Sequence, residues 1–257
     1  MDLNGKNIII TGASSGIGKG LTQALLQNKA NVYAVSRSIE STALNHPNLI
    51  KKNLDVSKVN EIDALFNDAL AKMGSIDMFI ANAGFAYYEK LTSLTADHID
   101  TIFNLNTRSV IYSAVKLKEI NHDKPFRFIA TLSAVSYVSM PGHALYSATK
   151  AALRGFFDGF ECELTQNDQL VQTIYPVATK TDFFNVANQS RKPWPVQSVD
   201  KVVKTTIKGI KNGKRKIYPS KLFRYSFLLT PWFYKLYVKR ETKAFHRLMN
   251  NQDKSKL

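Results

Sequence analysis

Sulfur and metal chemistry are what this chain has least of. Its 257 residues hold one cysteine, Cys162, so an intramolecular disulfide is impossible and a reducing compartment is expected. Cys162 lies in a helical pattern and reads as a small buried residue. The five histidines are scattered, with no HxxxH and no CxxC, so no metal site is expected. No run approaches the roughly 18 apolar residues that cross a bilayer. No basic segment followed by an apolar one precedes the first strand pattern, so no secretory leader is expected and the reading is cytoplasmic. Acid is scarce in one region. Residues 191–257 hold three Asp or Glu against 18 Lys or Arg, whereas residues 1–190 hold 17 of each. The net charge of +15 comes entirely from the last quarter.

What is present is an alternation of short apolar runs with longer amphipathic ones. Strands are expected near 6–11, 31–36, 49–54, 76–81, 126–132, 169–175 and 215–218. Helices are expected near 17–28, 58–73, 96–120, 144–166 and 199–211. Such alternation argues for a parallel sheet covered on both faces, and the length suits one α/β domain. No internal repeat, low-complexity tract or linker divides the chain.

Two motifs carry chemistry. Tyr146-Ser147-Ala148-Thr149-Lys150 places a phenol and an ammonium one helical turn apart, on one face. A cation about 4 Å from a phenol, at an effective dielectric near 20, favours the phenolate by roughly 4 kcal/mol. That is about three pKa units, enough to bring Tyr146 toward neutral pH. Alone, the pair also fits a packed Tyr beside a solvated Lys. Here Ser133 ends the apolar run Phe128–Leu132, where open α/β sheets bind ligands. The second motif is Gly12-Ala13-Ser14-Ser15-Gly16-Ile17-Gly18, between the first strand and a helical pattern. Glycines let backbone approach a pyrophosphate, and a helix amino end offers unpaired N–H groups to it. The bland alternative is a tight turn, but strand, glycine turn and helix in sequence favour a dinucleotide.

With both motifs in place, the chain resembles the short-chain dehydrogenase/reductase family from about Lys6 to Asp182. Thr11–Gly18 looks like its cofactor loop, and Asn82-Ala83-Gly84 like its N-A-G segment. Ser133, Tyr146 and Lys150 fall on its Ser…Tyr-x-x-x-Lys, and Asn106 on its helix Asn that holds a relay water. The resemblance implies that Asp55, with Val56, contacts adenine. It implies that Lys150 binds the nicotinamide ribose, that Thr181 contacts the carboxamide, and that Pro176 lies among the cofactor-binding residues. Two positions depart: Val177 stands where Gly is usual, narrowing the nicotinamide floor, and Ser136 where Gly is frequent. The second strand ends in Ser36-Arg37 with no acid, which suits a 2′-phosphate, so NADP(H) is the expected cofactor.

The expected fold is a Rossmann-like doubly wound parallel sheet. Residues 1–219 form the binding and catalytic part, and 220–257 a basic aromatic helical extension of the same domain. The expected reaction interconverts a carbonyl and a secondary alcohol. Val135, Tyr137, Met140, Val177, Phe183 and Phe184 flank the motifs, so the substrate should be apolar. Loop 183–197, with Pro193-Trp194-Pro195, is long enough for a lid. The rival class is a non-catalytic scaffold that binds NADP(H) or docks at a membrane. Phe233, Tyr237, Ala244, Phe245 and Leu248 suit one stripe of an amphipathic helix. That segment either caps the substrate pocket or a subunit interface, or rests on anionic membrane. The resemblance implies a homodimer or homotetramer; no nucleic-acid motif is present.

Overall fold

Three consecutive isoleucines set β1 (Asn7–Thr11), and all three are fully buried. A strand buried on both faces needs no polar alternation, which is why it reads as an unbroken apolar run. Successive side chains still point to opposite faces. Ile8 and Ile10 enter one core layer, with Leu21, Leu25, Val203 and Ile210. Ile9 enters the other, with Phe66, Phe79, Leu117, Phe128 and Phe157. The computed structural model describes residues 1–164, 166, 168–187, 196–229 and 231–254. The side chains of 185, 186, 226–229, 231–235 and 250–254 lie outside that description.

The remaining strands are β2 (Asn31–Ser36), β3 (Leu49–Asn53), β4 (Met78–Ala81), β5 (Phe126–Thr131), β6 (Gln169–Ile174) and β7 (Lys216–Ile217). The sheet runs β3-β2-β1-β4-β5-β6-β7, and every pairing is parallel. The order reverses between β1 and β4. Open α/β sheets bind ligands at that point, outside the strands' carboxyl ends. The two edges are guarded: β3 carries Lys51 and Lys52, and β7 has only two residues.

Helices α1 (Gly16–Gln27) and α7 (Val199–Lys211) cover one face. Helices α2 (Val59–Met73), α4 (Ser109–Asn121) and α5 (Ala144–Glu163) cover the other. α2 stops where Gly74 turns left-handed (φ 77°). α3 (Ala96–Phe103) starts at Thr95, whose hydroxyl accepts from the His98 N–H, and α7 starts at Ser198, which caps Lys201. Short α6 (Phe183–Val186) and the helices α8 (Lys221–Leu229) and α9 (Pro231–Lys254) complete the chain.

Three expectations change. The helix expected over 96–120 is broken at Asn104–Arg108 by a π turn, which swings Asn106 inward. The helix expected over 144–166 ends at Glu163. Cys162 is exposed, because the last turn of α5 faces outward; its thiol donates to the Asp158 carbonyl. The Pro193-Trp194-Pro195 lid lies outside the described residues.

Candidate active site

A cavity of about 1060 Å³ opens along the carboxyl ends of the strands. At one end lies the glycine turn. Gly12 has φ +67°, and a Cβ there would sit 2.8 Å from the Ala83 backbone. A Cβ on Gly18 would lie 2.0 Å from the Gly12 carbonyl oxygen, so α1 can seat against the turn only with glycine there. Gly18 therefore shapes the turn from behind, while Gly12, Ser14, Ser15, Gly16 and Ile17 line the cavity. α1 begins with no side-chain cap on Ser15 and no acid in its first turn. Its free N–H groups and positive dipole end suit a phosphate. The residues present thus fit a dinucleotide.

Further along, Ser36 and Arg37 line the wall at the end of β2. Arg37 is exposed, and among the described residues nothing pairs with its guanidinium. The next acid, Glu40, accepts from the Asn53 N–H at 3.2 Å and is held toward β3. Asp55 and Val56 form the opposite lip. One Asp55 oxygen accepts from Ser57, through N–H at 3.1 Å and hydroxyl at 2.8 Å. Asn82 ties the strand ends together. Its amide donates to Thr11 O at 3.3 Å and accepts from the Thr131 hydroxyl at 3.2 Å. The Ala83 N–H donates to Thr11 Oγ1. Asn82-Ala83-Gly84 thus holds the cofactor loop against β4 as well as lining the cavity.

At the centre stand Ser133, Tyr146 and Lys150. Ser133 follows β5; its hydroxyl accepts from Val135 N–H, and the Ser136 hydroxyl closes the turn on Ser133 O at 2.6 Å. Ser136 thus braces the loop that carries Ser133. Lys150 is 3% exposed, and its Nζ donates to Thr131 O at 2.9 Å, 5.8 Å from the Tyr146 ring centre. Burial pushes Lys150 down to about 8. Burial likewise pushes Tyr146 up to about 12, while a hydrogen bond with Ser133 pulls it down. The expected shift of Tyr146 toward neutral is therefore not seen. The ammonium is turned to Thr131, and dehydration penalises the phenolate more than the cation favours it.

Asn106 is fully buried and clamps Phe85: Phe85 N–H donates to Oδ1 at 3.0 Å, and Nδ2 donates to Phe85 O at 2.8 Å. A Cβ on Gly84 would lie 3.1 Å from Asn106 Oδ1 and 3.7 Å from Lys150 Nζ. Glycine 84 keeps the space between these two groups open. Pro176 accepts from Ala134 N–H at 2.9 Å, and Thr181 lines the wall beside Phe183. Val177 replaces glycine without strain, since it is not among the residues with positive φ.

The far end is aromatic. Val135, Tyr137, Met140, Val177, Phe183 and Phe184 all line the cavity. Phe85, Tyr87, His143, Leu222, Phe223 and Tyr237 also line it and were not named as site residues. The run Phe85-Ala86-Tyr87-Tyr88 just after Gly84 was a legible signal for the first two. α8 and α9 reach the cavity through Leu222, Phe223 and Tyr237, as the capping alternative requires. Phe245 of α9 packs edge-on against Tyr88 at 5.6 Å.

A glycine turn at the switch point of a parallel sheet, with Ser, Tyr and Lys on the same cavity, defines a dinucleotide-binding fold of the oxidoreductase kind. The short chain dehydrogenase family profile matches residues 6–192, and the chain belongs to that family. A hydroxynaphthalene reductase-like protein of Metarhizium acridum is 31% identical over 213 residues, covering 77% of this chain and 79% of the relative. Among solved structures, a short chain dehydrogenase/reductase from Burkholderia phymatum, in complex with NAD, superposes with a TM-score of 0.77 at 17% identity, over 89% of this chain and 94% of its own. A short chain dehydrogenase from Burkholderia cenocepacia, in complex with NADP, gives 0.76 at 23% identity, over 90% and 100%.

Proposed function

We propose that the protein reduces an apolar, aromatic-type ketone with NADPH, and runs the reverse oxidation when alcohol and NADP are in excess. The observation that carries this reading is the placing of Ser133, Tyr146 and Lys150 between a phosphate-binding end and an aromatic end of one cavity. When bound, the nicotinamide supplies the hydride. Ser133 hydrogen-bonds the carbonyl oxygen and steadies the charge that develops there. Tyr146, protonated at neutral pH, gives its proton to that oxygen. Lys150 is mostly an ammonium at neutral pH; it steadies the phenolate left behind and binds the ribose. A water between Asn106 Oδ1 and Lys150 Nζ, in the space at Gly84, returns the proton from solvent. The hydroxynaphthalene reductase-like relative and the aromatic walls support a planar substrate.

Tyr146→Phe keeps the ring and loses the proton. Turnover of a ketone panel should fall by at least about a thousandfold, while NADPH affinity stays within about twofold. Near-normal kcat would reject the proton-donor role. NADPH is preferred because Arg37 is the available charge at the end of β2. A charged hydrogen bond contributes roughly 1.5–3 kcal/mol, so Arg37→Ala should cut the NADPH-over-NADH ratio of kcat/KM by about tenfold or more. A wild-type ratio of one would reject the NADP reading.

A second reading concerns where the enzyme works. Leu222, Tyr225 and Leu236 are 55%, 55% and 47% exposed on α8 and α9, among basic residues. We propose that this face rests on anionic membrane and admits lipid-dissolved substrate.

A further inference from the structure

Tyr87 sits on the loop between β4 and α3, and that loop is tied on both sides of it. Upstream, Asn106 clamps Phe85 through the two bonds already described. Downstream, the Glu89 N–H donates to Gly142 O at 3.1 Å. Between the ties, the Tyr87 ring stacks on the His98 imidazole, 4.3 Å between centres and 15° between planes. Phe85 meets it edge-on at 5.0 Å. His98 is itself held: Nδ1 lies 2.9 Å from Glu89 Oε2, and its backbone N–H donates to Thr95. Tyr87 is half-buried and lines the aromatic end of the cavity. Its hydroxyl makes no hydrogen bond among the described residues. Burial, then Asp97 and Glu89, hold its pKa above the ordinary value, so it is a hydrogen-bond donor at neutral pH.

We propose that Tyr87 determines substrate specificity: its ring forms one wall for a planar aromatic ketone, and its hydroxyl bonds a second substrate oxygen, away from the reacting carbonyl. The inference rests on the ketone reduction proposed above and adds what selects among ketones. The physical basis is pre-organisation. A donor whose ring is already stacked loses little freedom on binding, and His98 and Glu89 act as positioning residues for it. A pocket that is mostly apolar takes its selectivity from its few placed polar groups. A site built to bond a substrate oxygen disfavours the analogue that lacks it.

The test uses the full chain with NADPH and two probes, 2-tetralone and 2-tetralone bearing one ring hydroxyl. Tyr87→Phe should raise KM for the hydroxylated ketone by about tenfold and leave kcat, and both constants for 2-tetralone, within about twofold. His98→Ala should raise KM with the same selectivity; equal effects on the two probes would overturn its positioning role. Calorimetric binding of dihydroxynaphthalene and of naphthalene reads recognition without turnover. If Tyr87→Phe weakens only dihydroxynaphthalene while neither ketone is reduced, the recognition role stands and the ketone-reduction reading fails. If both ketones are reduced and Tyr87→Phe shifts both probes alike, or shifts neither, the Tyr87 inference is overturned and the reduction stands. Should Tyr87→Phe not fold, Tyr87→Trp keeps a stacked ring and moves the donor, and unaltered selectivity in it overturns the inference equally.

Discussion

Lys150 is the residue with the most opposed demands. It is almost fully buried, with one carbonyl partner, and its pKa is lowered to about 8 from an ordinary 10.5. A lowered lysine pKa means that the unfolded chain binds the proton more tightly, so this residue costs stability at neutral pH, by roughly 3 kcal/mol. The cost is relieved as pH rises from about 8 toward the unfolded value of 10.5. Lys150→Met should therefore melt a few degrees higher at pH 7 than the parent, after roughly 1 kcal/mol is deducted for the lost bond to Thr131. It should also lose the parent's gain in stability between pH 8 and 10, while turnover collapses. A variant that melts lower at pH 7 would show that the ammonium stabilises the fold. Under the proposed mechanism the same titration would shape catalysis. Tyr146 stays protonated below about 12, so reductive kcat/KM should be flat at neutral pH and fall as pH rises through about 8 with loss of the Lys150 charge. A profile flat to pH 10 would free Lys150 from that role.

At the scale of elements, the meeting of the β1–α1 turn with the ends of β4 and β5 decides whether a dinucleotide can bind. Asn82 and Thr11 stitch this junction, and Gly18 seats α1 on it. In Gly18→Ala the new methyl would meet the Gly12 carbonyl, which is backbone and has little room to yield. Overpacking of this kind costs about 1–3 kcal/mol. Because the strain falls on the phosphate turn, NADPH affinity should drop by at least about tenfold, with a smaller loss in melting temperature. Tight NADPH binding by Gly18→Ala would show that the turn relaxes without moving its N–H groups. The π turn in the α3–α4 region is the matching device on the other wall. It is the reason Asn106 can reach Phe85, and through Phe85 it fixes the loop that carries Tyr87.

For the whole molecule, net charge is confined to the last quarter of the chain. Residues 1–190 are neutral in sum and supply six of the seven strands and most of the cavity lining, whereas the last quarter carries +15. No described helix is long and apolar enough to cross a membrane. In the proposed contact of α8 and α9 with a bilayer surface, each surface-facing Lys or Arg would contribute roughly 1 kcal/mol. The side chains of Trp232, Phe233 and Tyr234 lie outside the described residues; among the described large apolar side chains of α8 and α9, Leu222, Tyr225 and Leu236 are exposed. Co-sedimentation should show binding to anionic vesicles at low salt, little binding to neutral ones, and release at high salt. No pelleting with anionic vesicles at low salt would leave α8 and α9 with the capping role alone.

The sequence by itself determined the seven strands within about two residues at each end, since buried parallel strands are short apolar runs bounded by turn residues. The glycine turn and Ser133, Tyr146 and Lys150, singled out by spacing and residue type, line one cavity. Tertiary structure decided what depends on burial and on distant neighbours. Lys150 faces Thr131, nineteen residues back along the chain, and Tyr146 rises to about 12, because dehydration is a property of the packed cavity and not of the i,i+4 spacing. Asn106 meets Phe85 through a π turn that no periodicity announces. Tyr87 becomes a wall of the cavity because His98, from α3, stacks on it while Glu89 of its own loop holds the imidazole, and Tyr237 because α9 reaches the cavity with Phe245 against Tyr88.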